Sequence, residues 1–189
     1  MEINKLILLS LLSLSGLAQA EVIETVNYVT YTVKPEAGTS LSRAMITASP
    51  ITEGDKKYRG HTQWDMHWNY TYDKASDLRT CKVKTVSVSL KATITLPELS
   101  SKDDKLIAQF KQYLPALKKH ELGHLQIARE AAKKIERSLL AQPALASCEL
   151  LKTALNANGR ALTEEAKILN VQYDAQTRHG QTQGAFLPD

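Results

Sequence analysis

The sequence predicts an α+β domain, in which a small N-terminal antiparallel or mixed sheet is followed by a helical half. Three observations carry this. Apolar residues alternate with period two before Pro97, they recur at helical spacing after it, and the chain beyond position 20 is long enough for one buried core. A single domain over residues 21–189 follows, mainly strand over 21–99 and mainly helix over 100–189.

Residues 1–20 have the layout of an export signal rather than of a structural element. Lys5 supplies the positive start, Leu6 to Leu17 an apolar stretch, and Ala18-Gln19-Ala20 a small-x-small cleavage site. Ser10, Ser13, Ser15 and Gly16 interrupt the stretch, which is shorter than the roughly 20 apolar residues of a spanning helix. The expected mature chain starts near Glu21, is periplasmic or secreted, and has no stable membrane insertion.

The first strand is expected around Val26 to Val33, closed by the turn residues of Lys34-Pro35-Glu36-Ala37-Gly38. Leu41 to Ala48 reads as a short helix stopped before Pro50, and a loop with Gly54 and Gly60 follows. The clearest strand has Trp64, Met66, Trp68, Tyr70 and Tyr72 on one face and Asp65, His67, Asn69 and Thr71 on the other. A long strand then places Val86, Val88, Leu90, Ala92, Ile94 and Leu96 in phase. Val83 is out of phase with that set, which predicts a bulge between Val83 and Val86.

Ser100-Ser101-Lys102-Asp103-Asp104 supplies capping oxygens and acids for a helix start. Pro115 either kinks that helix or begins the next, which runs to about Leu140 before Gln142-Pro143. A further helix is expected from about Ala144 or Glu149 to Asn156, a break at Asn158-Gly159, a last helix from about Thr163 to Tyr173, and a coil tail.

The formal charge of +4 comes from lysines spread along the chain without aromatic clustering, so no nucleic-acid partner is implied. Cys81 and Cys148 allow one intramolecular disulfide in an oxidising compartment. Two buried free thiols are the other reading.

The chemistry is expected at His120-Glu121-Leu122-Gly123-His124. Histidines four apart on a helix present two imidazoles to one ion, and the glutamate after the first is placed to take a proton from activated water. With five histidines in the chain, such a match arises by chance with a probability of roughly one per cent. Leu125, Ala128, Ala132, Ile135 and Leu139 form a core-facing stripe beside the histidine face.

A catalytic Zn2+ needs a third protein ligand and an open position. No histidine lies just downstream, so the third ligand comes from elsewhere: His179 by preference, or Glu149, Glu164, Glu165, Asp174, His61 or His67. His179 is preferred because Tyr173-Asp174-Ala175-Gln176-Thr177-Arg178-His179-Gly180 gathers a phenol, a carboxylate, a hydroxyl and an imidazole.

The chain resembles a bacterial family of predicted secreted Zn-dependent proteases, catalogued as a domain of unknown function. The resemblance rests on the export signal, Trp64 and Trp68, Cys81, Leu96-Pro97, the His120 to His124 motif, Cys148, and the block from Tyr173 to Gly180. It implies a zincin-like metallopeptidase with one Zn2+ on His120 and His124, Glu121 as base, and the Tyr173 to Gly180 block in the site.

The expected activity is hydrolysis of a protein or peptide substrate, with Tyr173 as oxyanion donor and Asp174 holding a ligand imidazole from behind. His61 and His67 are alternative oxyanion contacts. An exported zinc-binding envelope module without turnover, or an amidase of a cell-wall amide, uses the same metal residues.

Overall fold

A computed structural model of the chain describes residues 19–74 and 80–188. The expected export signal lies outside the described residues except for Gln19 and Ala20, where the first strand begins. In chain order the elements are β1 (Gln19–Val33), α1 (Leu41–Ala48), β2 (Thr52–Glu53), β3 (Lys56–Lys57), β4 (His61–Lys74), β5 (Cys81–Leu99), α2 (Asp104–Leu140) and α3 (Cys148–Thr177). A 3-10 turn at Gln181–Gln183 follows. No helix among the described residues is long and apolar enough to cross a membrane.

The sheet is mixed, in the order β1-β5-β4, with β5 parallel to β1 and antiparallel to β4. β5 is central because its in-phase residues from Val86 to Leu96 are all buried, three of them with no exposed surface. The register shift falls between Thr71 and Tyr72 of β4, opposite Thr85 and Val83, so Lys84 is the extra residue. This is the bulge that the phase of Val83 predicts. In β4 only Met66 of the expected apolar face is fully buried; the two tryptophans and two tyrosines are half-buried. As an edge strand, β4 lies under the margin of the helical layer.

The helical layer differs from the sequence expectation in two places. First, of the two expected outcomes at Pro115, a kink or the start of a new helix, the second does not occur, since α2 runs through it as one helix. A proline removes one backbone hydrogen bond, but Tyr113 and Leu117 on either side are buried at 3% and 4% exposure, so packing holds the helix across it. The cap is at Asp103, whose carboxylate accepts from the amides of Lys105 and Leu106 at 2.8 and 3.2 Å. Second, the expected break at Asn158-Gly159 is absent, and α3 is one helix. Gly159 is buried, and a methyl group there would lie 2.6 Å from the Trp68 indole. The glycine admits the ring, while Trp68 Nε1 donates to Asn156 Oδ1 at 3.1 Å and Asn158 Nδ2 to Ser138 Oγ at 2.8 Å. The loop after α1 also differs, since β2 and β3 form a small hairpin within it.

α2 and α3 are antiparallel, as the pairings Ser138 with Asn158, Lys134 with Glu165 and His124 with Asn170 show. Leu125, Ala128, Ala132, Ile135 and Leu139 face the sheet with at most 1% exposure; full burial of each large member is worth about 1.5–3 kcal/mol. Cys81 and Cys148 form a disulfide, and Cys81 also exchanges two backbone hydrogen bonds with Leu145. The start of α3 is thereby tied to the start of β5. Closing this loop constrains the unfolded chain, worth about 4 kcal/mol at most.

Gly159→Ala tests the α3 packing. In an open helix alanine is the better residue by about 1 kcal/mol, whereas overpacking against Trp68 should lower stability by about 1–2 kcal/mol in urea unfolding. A midpoint that holds or rises would show that the indole moves aside.

Candidate metal centre

One face of α2 is turned toward the end of α3, and this puts His120, Glu121 and His124 in the interior at 3%, 3% and 8% exposure. The two Nε2 atoms are 3.3 Å apart. Asp174, in the last turns of α3, brings Oδ1 to 3.1 Å from His120 Nε2 and 3.2 Å from His124 Nε2. These three residues form a group that can hold a metal ion. Around an ion with ligand bonds of about 2.0–2.1 Å, tetrahedral geometry separates the donors by about 3.3–3.4 Å, and the observed edges are 3.1, 3.2 and 3.3 Å.

The hydrogen bonds behind the rings set their tautomers. His124 Nδ1 is 2.7 Å from Asn170 Oδ1, and Asn170 Nδ2 donates to the Ala166 carbonyl at 2.9 Å, which fixes the amide with its oxygen toward the ring. His120 Nδ1 is 3.1 Å from Gln183 Oε1, whose amide nitrogen donates to the Tyr173 hydroxyl at 2.9 Å. Each Nδ1 therefore carries a proton, which leaves Nε2 of each ring to face Asp174. Three electron-pair donors then face one another at about 3 Å, an arrangement that a cation or protons must hold together.

The electrostatics agree with this. Burial opposes ionisation of Asp174, but hydrogen bonds from His120 and His124 and the fields of His124 and His179 outweigh it and hold the carboxyl below the usual range. Burial likewise opposes charge on His124, yet the bond and field of Asp174, with Asn170 and Glu121, hold it above its ordinary value. Glu121 is pushed up, chiefly by burial, against the Thr62 hydrogen bond and the nearby histidines. Thr62 Oγ1 lies 2.8 Å from Glu121 Oε2 and 3.0 Å from its carbonyl oxygen. The other carboxylate oxygen faces Gly60.

The sequence reading preferred His179 as third donor, with Asp174 behind an imidazole. In the structure Asp174 is the residue that groups with the two imidazoles, and His179 stands beside it. α3 ends at Thr177, and the left-handed residues Arg178 and His179, φ 51° and 52°, carry the imidazole outward. The His179 side chain is 55% exposed, with Nδ1 3.3 Å from Asp174 Oδ1.

Tyr173 packs against both imidazoles. Its ring stacks on His120 at 5.2 Å and meets His124 edge-on at 4.9 Å. The hydroxyl donates to the His120 carbonyl at 3.3 Å and accepts from Gln183, which holds the ring against both imidazoles. Gly123 makes this contact feasible, since a methyl group there would lie 2.0 Å from the tyrosine oxygen.

The remaining candidates lie apart from the group. His67 is exposed and paired with Asp65 at 2.6 Å, and Glu149, Glu164 and Glu165 pair with Lys152, Lys167 and Lys134. His61 lines the cleft without joining the donors; burial is the main cause that holds it below its ordinary value. Sequence reasoning missed Thr62, Asn170 and Gln183. Asn170 lies four residues before Asp174, one helical turn away, and that spacing was the available signal.

The donors floor a cleft of about 960 Å3, walled by the β2–β3 hairpin, the start of β4 and the end of α3. The model of a family described as bacterial proteins of unknown function (DUF922) matches residues 28–180, from within β1 to the turn after α3. No curated protein and no solved structure matches the chain.

A zinc titration against a chelating dye separates the two carboxy-terminal candidates. Asp174→Ala should abolish tight binding, whereas His179→Ala should keep one site, weakened by about 10–100-fold at most. The reverse result would place His179 on the metal.

Proposed function

The chain belongs to this bacterial family of unknown function, and from the geometry of its centre we propose that it is an exported zinc-dependent metallopeptidase. One observation carries the reading: three mutually spaced donors on the floor of a cleft, with a buried, anchored carboxylate next to the first of them. Two imidazoles and one carboxylate are a donor set that suits zinc. His120, His124 and Asp174 would hold it, with His179 and Tyr173 supporting Asp174 and the two rings. When bound, zinc supplies Lewis acidity to polarise water and the substrate carbonyl.

The chain's own groups do the rest. Glu121, its proton affinity raised by burial, accepts a proton from the attacking water and passes it to the leaving amine. Thr62 holds one carboxylate oxygen and leaves the other free to work. Asn170 and Gln183 keep both imidazoles in the tautomer that offers Nε2. Export is supported by the N-terminal signal pattern and by the disulfide, which persists in an oxidising compartment.

Purified chain should bind about one zinc. Glu121→Gln should retain the metal and fold while peptide hydrolysis drops by at least about 100-fold. Retained hydrolysis would remove Glu121 as base. Zinc binding with no turnover in either chain would favour an envelope-binding module, and cleavage confined to a cell-wall amide would keep the machinery and change the substrate.

A further inference from the structure

Among the described residues one buried side-chain nitrogen has no hydrogen-bond partner, and it is Nε of Arg59. Arg59 lies in the wall of the cleft, between β3 and β4, next to the glycine that abuts Glu121. Its Nη2 donates to Ser42 Oγ at 2.7 Å, and the Tyr113 hydroxyl feels its charge. Both partners are neutral. No carboxylate among the described residues lies at ion-pair distance from it. Arg129, on the surface, instead has Glu24 in two hydrogen bonds at 2.8 and 2.6 Å.

A guanidinium is charged at any working pH. Arg59 is only partly buried, but its Nε is out of contact with water, and a neutral partner compensates a charged group only in part. The surroundings do not supply the missing charge. Lys57 also lines the cleft, bonded only to the Thr47 carbonyl at 3.3 Å, and Lys167 lines it beside Glu164. Outside the metal group and Glu121, the one acid lining the cleft is Glu53. The wall beside the base is therefore short of negative charge, at the residue whose planar fork of N–H groups matches a carboxylate in two parallel bonds.

We propose that Arg59 receives a carboxylate of the bound substrate, so that the cleft selects acidic peptides. This rests on the peptidase reading for the word substrate, but not for the binding itself. The carboxylate comes from an Asp or Glu side chain or from a free C-terminus, and both present the same group to the guanidinium. Held there, it fixes the peptide beside Glu121.

The test is calorimetric binding to the zinc-loaded Glu121→Gln chain, in which hydrolysis is blocked. Three alanine-based pentapeptides are compared: one acetylated and amidated with a central glutamate, its glutamine counterpart, and the glutamine peptide with a free C-terminal carboxylate. One of the two carboxylate peptides should bind roughly tenfold tighter than the neutral one, and which of them does identifies the source. Adding Arg59→Met should remove the difference. Should that chain fail to fold, Arg59→Lys, which keeps the charge but not the fork, should reduce it. Equal affinities, no binding by any peptide, or a preference that survives these substitutions would overturn the proposal. Cleavage of neutral peptides by the unsubstituted chain would then leave the peptidase reading standing. Acid-selective binding without hydrolysis would do the opposite.

Discussion

The site depends on the antiparallel contact between α2 and α3. α2 supplies two of the three donors and α3 the third, and neither helix makes a site alone. Two close approaches define the contact. Near one end of α3, the disulfide and the Trp68 ring against Gly159 settle where the helix starts and how near it lies to the sheet. Near the other, the Tyr173 ring against Gly123 sets its height above the histidines. Between Gly159 and Tyr173 α3 runs 14 residues, roughly 21 Å, so small changes in packing at the first end are carried to Asp174.

Around the donors, polarity is arranged so that lone pairs converge. Asn170 and Gln183 are neutral, yet each is oriented by a second hydrogen bond of its own, and so each determines which ring nitrogen is bare. The last residues matter for the same reason. Ala185 and Leu187 are buried at 3% and 8% exposure and pin the tail against α2, which brings Gln183 to His120.

Glu121 and Arg59 occupy neighbouring ground with opposite characters. Burial raises the proton affinity of the carboxylate and leaves the guanidinium charged with neutral partners. Both sit where the chain passes from the β2–β3 hairpin into β4, so what looks like a connecting loop puts the two groups on one wall of the cleft.

Much of this was legible in the linear chain. Periodicity located the three strands of the main sheet, the bulge after Val83 and the apolar stripe of α2, because residue spacing alone decides which side chains share a face. The two histidines and Glu121 were legible for the same reason, being four and one residues apart on a single helix. The third donor was not. His179 and Asp174 are five residues apart, and which one turns inward is decided by where α3 ends and by the left-handed residues after it. Gly159 reads as a helix break until Trp68 is placed beside it, since a glycine that terminates a helix and one that admits a ring are the same residue locally. The roles of Thr62, Asn170, Gln183 and Arg59 come from contacts across 59, 46, 63 and 17 residues of chain. Sequence spacing determined what a single element presents, and tertiary packing decided which elements meet, because that choice rests on the shape of the whole core.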